Sequence, residues 1–383
     1  MTIAAAQLRQ ELAELLVAKG SLTDARWAEA VKAVPRELFL GEALFRPTDG
    51  TSGTLWEPVQ RVRTSHEQWL RMAYENRTWV TQVDGVMAEA AKSSPPGPPT
   101  SSSTLPSLVV RMLEAAEIGD GDKVLEIGTG TGYSTALLCQ RLGDGKVTSI
   151  EYDPEVAARA GTALAAAGYT PTLIVGDGLA GYDKNAEYDR LIATCSVRYI
   201  PAAWLWQVRD GGTITAPLSG WMGGTALAHL TLADDGTATG RFLSDELSFM
   251  FARPHDRPPR SHYLIGLGEQ RESVSDPHVL NDPTGLFVAQ LGAPSAEKLG
   301  AADRIILLDV ATGSQATTEP SPDGGWLVRQ HGPLKLWDGV EVAVSTWEAA
   351  GKPHRSGYGL TVTRQGQKVW LGDPDGPSWN LPA

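Results

Sequence analysis

Cysteine is nearly absent from this chain of 383 residues, since it occurs only at Cys139 and Cys195. Two cysteines cannot form a disulfide framework, so the sequence predicts a protein of a reducing compartment, and we expect a cytoplasmic location. Histidine is also scarce. The seven histidines form no cluster at zinc-ligand spacing, and the sequence therefore predicts no metal site.

Positive charge is in deficit, with 33 Lys and Arg against 45 Asp and Glu, which gives a net charge of −12. Binding to nucleic-acid phosphates needs a basic face, so we expect no nucleic-acid partner. No apolar run is long enough to cross a bilayer, and the N-terminal stretch carries charges that a signal peptide would lack. We therefore expect no membrane association.

The N-terminal part of the chain, residues 1–103, is expected to lie on the substrate side of the protein. Residues 1–45 have helical patterns, and residues 46–103 are predicted to be irregular. That stretch ends at residues 93–103, which read SSPPGPPTSSS. Such a segment excludes a helix or an inner strand, and it indicates a linker or a loop shaped by a ligand.

Two further parts follow, with a boundary expected at residue 252. Residues 104–252 alternate strand and helix patterns, which is typical of a doubly wound α/β sheet. Strand patterns near its end lie at 225–232 and 241–249. Residues 253–383 contain short β-like runs separated by Gly and Pro, and they indicate an added α+β or mostly β domain.

The most informative motif is DKVLEIGTGTGY at residues 122–133. An apolar strand leads into glycines 128, 130 and 132, and a helical stretch begins at Tyr133. A dinucleotide loop of the GxGxxG type would need glycine where Tyr133 stands, so this loop is not built around a pyrophosphate. It suits a ligand with an adenosine and a compact charged tail, such as S-adenosylmethionine, although a glycine turn alone is weak support.

Two later strand ends strengthen this interpretation. Glu151 follows the strand KVTSI, where a carboxylate can accept hydrogen bonds from both hydroxyls of a ribose. Asp177 lies in a Gly-Asp-Gly turn after the next apolar run and can accept a hydrogen bond from an adenine amino group, while Tyr152 can pack on the adenine face. The alternative is that Glu151 and Asp177 are only turn residues and helix caps.

Several segments together resemble the protein-L-isoaspartate O-methyltransferase family. They are VPRELF at residues 34–39, Ala73-Tyr74, TSSSTLP at 100–106, the glycine motif, Ile150-Glu151 and Gly176-Asp177-Gly178. The resemblance implies a Rossmann-like class I methyltransferase core with an N-terminal helical extension. It also implies S-adenosyl-L-methionine as cofactor and S-adenosyl-L-homocysteine as product. The cofactor-binding residues would be Glu126, Gly128, Thr129, Gly130, Gly132, Tyr133, Glu151, Tyr152, Asp177 and Gly178.

The resemblance places Thr104 at the position of the family's active-site serine. Small hydroxyl side chains can orient a substrate carboxylate without neutralising it, so we predict Thr104 and Ser103 as catalytic residues, with Ser101 and Ser102 contacting substrate. The alternative is that these residues only cap the helix predicted at 106–117. Arg198 and Tyr199 are further substrate-binding candidates, against the alternative that they are merely solvated.

The chain departs from the family pattern in its serine-rich 100–106 segment and its extra C-terminal domain. These departures resemble an offshoot of the family associated with ATP-grasp ligases (graspetides) in actinobacteria. That resemblance implies methylation of an aspartate in a macrocyclised ribosomal peptide, leading to a succinimide or isoaspartate. Repair of isoaspartate in damaged proteins is the alternative, and a binding module with a degenerate methyltransferase fold is less favoured because the glycines, Glu151 and Asp177 are all present.

Overall fold

The structure is a computed structural model, and it describes residues 4–50, 53–245, 247–260, 262–301 and 304–382. The chain divides into two compact units. The first comprises Met1–Thr194 with Gln207–Arg209, and the second comprises Cys195–Trp206 with Asp210–Ala383. This division differs from the three parts expected from the sequence, whose boundaries at residues 103 and 252 stay a prediction.

The first unit contains two sheets and their helices. In chain order its elements are α1 (Ala5–Ala18), α2 (Ala25–Ala33), β1 (Ala43–Gly50), β2 (Gly53–Gln60), α3 (His66–Tyr74), β3 (Trp79–Val83), β4 (Val86–Met87), β5 (Pro99–Ser103), α4 (Pro106–Ala115), β6 (Val124–Ile127), α5 (Tyr133–Leu142), β7 (Val147–Glu151), α6 (Pro154–Ala166), β8 (Thr172–Val175) and β9 (Tyr188–Ala193).

The glycine motif lies on a parallel sheet of the first unit, in the strand order β9-β6-β7-β8. All four residues of β6 are buried, as expected for a strand covered on both faces. Because β7 and β9 lie on opposite sides of β6, the strand order changes direction at β6. Ligands of such sheets bind outside the carboxyl ends of the strands at that point. The predicted doubly wound α/β core is thereby confirmed.

The prediction of irregular structure for residues 46–103 is wrong for most of this stretch, although residues 88–98 form no helix or strand. β1 and β2 form an antiparallel hairpin in which Ala43 is opposite Gln60 and Gly50 is opposite Gly53. Prolines conceal this hairpin in the sequence. Pro47 and Pro58 both lie where their strand pairs on one side only, so neither removes a hydrogen bond that an inner strand would need.

The serine-rich segment is also more regular than expected, because its last part forms β5. This strand pairs with β3 alone, in a register that places Trp79 opposite Ser103 and Val80 opposite Ser102. It is therefore an edge strand, which agrees with the exclusion of an inner strand. The interpretation of residues 99–103 as a linker or irregular loop is wrong.

The second unit is rich in antiparallel strands. Its elements are α7 (Ala202–Leu205), β10 (Val208–Ser219, of which the first two residues belong to the first unit), β11 (Thr225–Leu232), β12 (Ala238–Phe242), β13 (Glu269–Ser273), α8 (Pro283–Gly292), β14 (Ala296–Ala301), β15 (Arg304–Asp309), β16 (Gln315–Pro320), β17 (Trp326–His331), α9 (Leu336–Ala349), β18 (Tyr358–Val362), β19 (Gln367–Leu371) and β20 (Ser378–Asn380).

The strands of the second unit run in two antiparallel series, β10-β11-β12-β18-β19-β20 and β13-β17-β16-β15-β14. The strand predicted at 225–232 is confirmed as β11, whereas the strand predicted at 241–249 lies earlier, at β12. The added sheet-rich domain is consistent with the prediction. Helix α8 was missed because it is buried around most of its circumference and so lacks a 3.6-residue pattern. Its start is marked by Asp282, whose carboxylate accepts the N–H of Gly285 at 2.7 Å.

Candidate cofactor and substrate site

The glycine loop joins the end of β6 to the start of α5. Gly128, Gly130 and Gly132 all have positive φ angles, of 99°, 56° and 90°. A Cβ at Gly128 would lie 2.8 Å from the hydroxyl of Thr194, which itself donates to the Gly128 carbonyl at 2.5 Å. At Gly130 the nearest atom to such a Cβ is the Ser102 carbonyl oxygen at 3.9 Å. The loop is therefore closed on its β9 side and roomy beside Gly130.

Glu151, at the carboxyl end of β7, lies against this loop. One of its oxygens accepts the N–H of Gly130 at 2.8 Å, and the other accepts the N–H of Asp153 at 3.0 Å. Asp153 in turn caps α6 and accepts a hydrogen bond from Gln82 at 2.8 Å. The predicted ribose-binding carboxylate is thus held in place by backbone donors, one of which belongs to the glycine loop.

The segment that follows β8 forms a turn, and an exposed aromatic ring follows the end of β7. Asp177 accepts the N–H of Leu179 at 2.9 Å, and Gly178 lies so close to Ile127 that a Cβ there would overlap the Ile127 side chain. Tyr152, which follows Glu151, is half exposed. The structure therefore places the carboxyl ends of β6, β7 and β8 in series, with polar groups at each.

Three predicted cofactor residues lie behind the loop rather than on its open side. Glu126 is fully buried, and its carboxylate accepts hydrogen bonds from Ser134 and Thr135 at 2.5 Å and from Ser149 at 2.7 Å. Thr129 is buried against Ser149 at 2.6 Å. These contacts support a positioning role for Glu126 and Thr129. Their predicted direct contact with cofactor gains no support from this geometry.

Tyr133, the third of these residues, is buried at the start of α5. Burial raises the pKa of its phenol to about 12. Within the described chain, its hydroxyl has no hydrogen-bond partner, and its ring packs near Phe39 and beneath the Arg36 guanidinium. The phenol is therefore a neutral group at neutral pH.

Burial raises the pKa of Glu126, the three hydroxyl hydrogen bonds partly oppose this shift, and the charge of Glu151 adds to it. A carboxyl with a raised folded-state pKa stabilises the fold most below its ordinary pKa of about 4.3, and this contribution is lost as pH rises through the raised value. We predict that the melting temperature of Glu126→Gln falls less than that of wild type between about pH 5 and about pH 8, because a glutamine does not ionise.

The measurement is thermal unfolding of wild type and variant at both pH values. Glu155→Gln is the control, since Glu155 is exposed on α6 and pairs only with Arg159 at 3.0 Å among the ion pairs described. All other titrating groups are shared, so their contributions cancel in the comparison. An identical pH dependence in wild type and Glu126→Gln would contradict the prediction.

The hydroxyl-bearing strand β5 lies next to the glycine loop, as the 3.9 Å approach of the Ser102 carbonyl to a Cβ at Gly130 indicates, and Thr104 directly follows this strand. Ser101 and Ser103 are buried and already bonded, to Thr81 at 3.1 Å and to Arg36 at 3.3 Å. No hydrogen bond engages the hydroxyl of Thr104 among the described residues, and this side chain is only partly buried. Thr104 is thus the better placed of the two predicted catalytic residues to contact a substrate.

The alternative that residues 101–104 cap the following helix is not what the structure contains. The N–H of Leu105 donates to Thr78 at 3.1 Å, and the N–H of Ser107 donates to Asn76 at 2.9 Å. The start of α4 is therefore satisfied by side chains from the segment before β3. This arrangement leaves the hydroxyl of Thr104 uncommitted to helix capping.

Arg36 is the residue that the sequence reasoning missed. It is fully buried, and its guanidinium donates to the carbonyls of Ala73, Glu75 at 3.2 Å, Arg77 at 3.2 Å and Thr104 at 3.2 Å. Burial lowers its pKa to about 10, so it stays cationic at neutral pH. Arg36 ties the 73–77 segment to the end of β5, and its place in the VPRELF segment was the signal that could have indicated this role.

Arg198 and Tyr199 belong to the second unit. The Arg198 guanidinium stacks 3.6 Å from the centre of the Trp221 ring and donates to the Pro294 carbonyl at 3.1 Å, and Tyr199 packs on His255 with ring centres 4.4 Å apart. Burial lowers the pKa of Arg198. Both residues are partly buried and pack against aromatic rings, and their substrate role stays a prediction.

The first-unit residues fit a nucleoside cofactor with a compact tail. A roomy glycine loop, a carboxylate fixed beside it and an exposed aromatic ring occupy the carboxyl ends of adjacent parallel strands. None of the helices in the described part of the chain has the length and hydrophobicity of a transmembrane span. Together, the fold and loop define a class I, S-adenosylmethionine-dependent methyltransferase.

Comparison with known proteins identifies the family. The profile of the protein-L-isoaspartate(D-aspartate) O-methyltransferase (PCMT) family matches residues 58–242. The chain is 33% identical over 239 residues to a protein-L-isoaspartate O-methyltransferase of Ignicoccus hospitalis, which covers 61% of this chain and 93% of the relative. It is 32% identical over 211 residues to the enzyme of the same name from Methanoculleus marisnigri, and this match covers 55% of this chain and 76% of that relative. This chain therefore belongs to the protein-L-isoaspartate O-methyltransferase family.

The family assignment confirms two of the predictions from sequence, a carboxyl O-methyltransferase and S-adenosylmethionine as its cofactor. A solved structure titled protein-L-isoaspartate O-methyltransferase matches with a TM-score of 0.54 and 20% identity, and it covers 95% of this chain and 100% of its own. This likeness concerns the fold alone. The match extends well beyond residue 242, so a long C-terminal region is compatible with the fold of that solved structure.

Proposed function

We propose that this enzyme transfers a methyl group from S-adenosylmethionine to the side-chain carboxylate of an isoaspartyl residue in a peptide or protein. The observation that carries the proposal is the placement of β5, which Thr104 directly follows, next to the glycine loop, with the Ser102 carbonyl oxygen 3.9 Å from where a Cβ at Gly130 would lie. The names of the Ignicoccus and Methanoculleus relatives support isoaspartate as the substrate. Isoaspartate, which was the alternative substrate in the sequence analysis, therefore has more support than the macrocyclised peptide that the sequence resemblance favoured.

The site chemistry agrees with such a transfer. The nucleophile is a carboxylate, which is already ionised at neutral pH because its pKa is about 4, so no strong base is needed. A carboxylate oxygen forms a bond to the methyl carbon, the carbon–sulfur bond breaks, and its electron pair stays on sulfur. The protein must align these atoms and exclude water, and the hydroxyl of Thr104 can orient the carboxylate by donating a hydrogen bond.

The methyl ester then supplies a better leaving group than the free carboxylate. The backbone nitrogen of the following residue attacks the ester carbonyl, methanol leaves with the amide proton, and a succinimide ring forms. Hydrolysis of the ring gives aspartate or isoaspartate. These later steps are reactions of the product itself and require no further side chain from the protein.

An aspartate in a macrocyclised ribosomal peptide is a second candidate substrate. The serine-rich composition of residues 100–104, next to the glycine loop, favours it, since an altered substrate segment suits one particular partner. The added C-terminal region is no longer an argument for this candidate, because the solved isoaspartyl methyltransferase covers 95% of this chain. The chemistry would be the same for both substrates.

Mass spectrometry with S-adenosylmethionine tests the two candidates on a linear isoaspartyl peptide and on a macrocyclised, aspartate-containing peptide. We expect addition of a methyl group to the linear isoaspartyl peptide, followed by loss of methanol. Methylation of the cyclised peptide alone would transfer the proposal to the second candidate. Methylation of neither peptide would overturn both.

Thr104→Ala tests the residue assignment in the same assay. We predict a fall in kcat/KM of about tenfold, because one orienting hydrogen bond to a charged group is lost. Thr104→Ser keeps the hydroxyl and is expected to retain most activity. Equal activity of the alanine and serine variants would show that the hydroxyl does not orient the substrate.

A further inference from the structure

The second unit contains a cavity of about 310 Å³ that the proposed methyl transfer does not use. Trp221, Phe249 and Phe251 supply aromatic surface, and Ser219 and Thr225 supply hydroxyls. Arg257 and Glu297 also line it. A cavity of this size is at the lower end for a ligand site, large enough for one or two amino-acid side chains.

The ion cluster of Arg257, Arg260 and Glu297, of which Arg257 and Glu297 line the cavity, does not balance in charge. Glu297 is buried, and its carboxylate is held by two cations, with Arg260 donating hydrogen bonds at 2.5 and 2.8 Å and Arg257 forming an ion pair at 3.1 Å. Two guanidinium groups share one carboxylate, which leaves one positive charge in excess. This excess is notable in a chain with a net charge of −12.

Arg257 is the cation whose donors are incompletely used. Its Nε pairs with Glu297 and its Nη1 donates to the Pro258 carbonyl at 2.7 Å, while Arg260 already binds Glu297 through two nitrogens. A guanidinium has five N–H donors, so Arg257 can bind a second anion without releasing Glu297. Trp221 is fixed beside it by the stacked Arg198 and by donation of its indole N–H to the His255 carbonyl at 3.0 Å.

We propose that this cavity binds an acidic peptide segment, with a carboxylate on Arg257 and a neighbouring apolar or aromatic side chain against Trp221, Phe249 and Phe251. A single excess charge suits a monoanionic carboxylate better than a doubly charged phosphate, and the planar fork of arginine matches carboxylate geometry. The choice of a peptide as the carrier rests on the proposed function. The cavity would then act as a recognition site for substrate outside the reacting residue.

Isothermal titration of the full chain, saturated with S-adenosylhomocysteine, tests this proposal. The probe is acetyl-Gly-Phe-Asp-Gly-amide, compared with its Asn counterpart and with an Asn peptide that ends in a free carboxylate. We expect the Asp peptide to bind at least about tenfold more tightly than the blocked Asn peptide, and Arg257→Gln to abolish this advantage. Tight binding of only the free-terminus peptide would assign the carboxylate to a chain end.

Arg364→Gln is the matched control, because Arg364 is an exposed arginine of the same unit that stacks on Trp206 and does not line the cavity. It should keep the preference for Asp. Glu297→Gln removes the competing carboxylate and should tighten binding, a change in the opposite direction that misfolding would not produce. Equal binding of the Asp and both Asn peptides, or an Asp preference that survives Arg257→Gln, would overturn the proposal.

The same preparations separate this proposal from the proposed function. Binding that depends on Arg257, without methyl transfer to any peptide, would overturn the proposed substrate of the methyl transfer. It would still support the cavity as a peptide-binding site. Methyl transfer to the isoaspartyl peptide, with binding indifferent to Arg257, would overturn the cavity proposal alone.

Discussion

Replacement of Glu151 by alanine is expected to lower the affinity for S-adenosylmethionine about 100-fold. As the proposed acceptor for a ribose diol, its carboxylate would make two charge-assisted hydrogen bonds, together worth about 3 kcal/mol. The same carboxylate accepts the N–H of Gly130 at 2.8 Å, so its removal also leaves a loop donor without its acceptor. Isothermal titration with S-adenosylhomocysteine measures the effect.

Glu155→Ala is the control for this experiment. Glu155 lies four residues further on, in the first turn of α6, and forms an ion pair with Arg159 at 3.0 Å. An exposed pair of this kind contributes little to stability. We therefore expect unchanged affinity in the control. If Glu151→Ala bound S-adenosylhomocysteine as tightly as Glu155→Ala, the assignment of Glu151 to the ribose would be wrong.

A methyl group added at Gly178 is the second change with a large expected effect. The Cβ of Gly178→Ala would overlap Ile127 at the buried end of β6 and force the Asp177 turn away from the strand ends. A displacement of about 1 Å in a catalytic site can cost about 100-fold in rate. We expect kcat/KM to fall by about this factor, with a weaker apparent affinity for S-adenosylmethionine.

Gly176→Ala provides a closely matched control, because it adds the same methyl group two residues earlier in the same turn. A Cβ at Gly176 would meet nothing within 4 Å, and neither glycine has a positive φ angle. Steady-state kinetics on the isoaspartyl peptide should therefore place Gly176→Ala near wild type. Similar losses in both variants would mean that flexibility of the turn, and not its packing on Ile127, matters for activity.

The cofactor side of the site could largely be predicted from the sequence. The glycine spacing at 128–132 and the acids at Glu151 and Asp177 each follow an apolar strand, and parallel strands bring their carboxyl ends to one edge. Each of these signals lies within a dozen consecutive residues. Local pattern was sufficient because strand, turn and helix start are adjacent in the chain.

The substrate side could be predicted less well, because its contacts are remote in sequence. Arg36 binds carbonyls at Ala73 and Thr104, and the helix start at α4 is capped by Thr78 and Asn76. Prolines concealed the β1–β2 hairpin because the sequence does not say which strand edge is unpaired. A single sequence contains no record of such pairings.

By itself, then, the sequence determined the class of the core, the cofactor and the strand ends predicted to bind it, since these depend on the order of apolar and glycine residues along short segments. Only the tertiary structure decided that Glu126 and Thr129 lie behind the loop, that Arg36 organises the segment predicted to contact substrate and that the hydroxyl of Thr104 does not cap a helix. These outcomes depend on which side chains compete for the same buried donors and acceptors, and that competition exists only once distant segments are packed together.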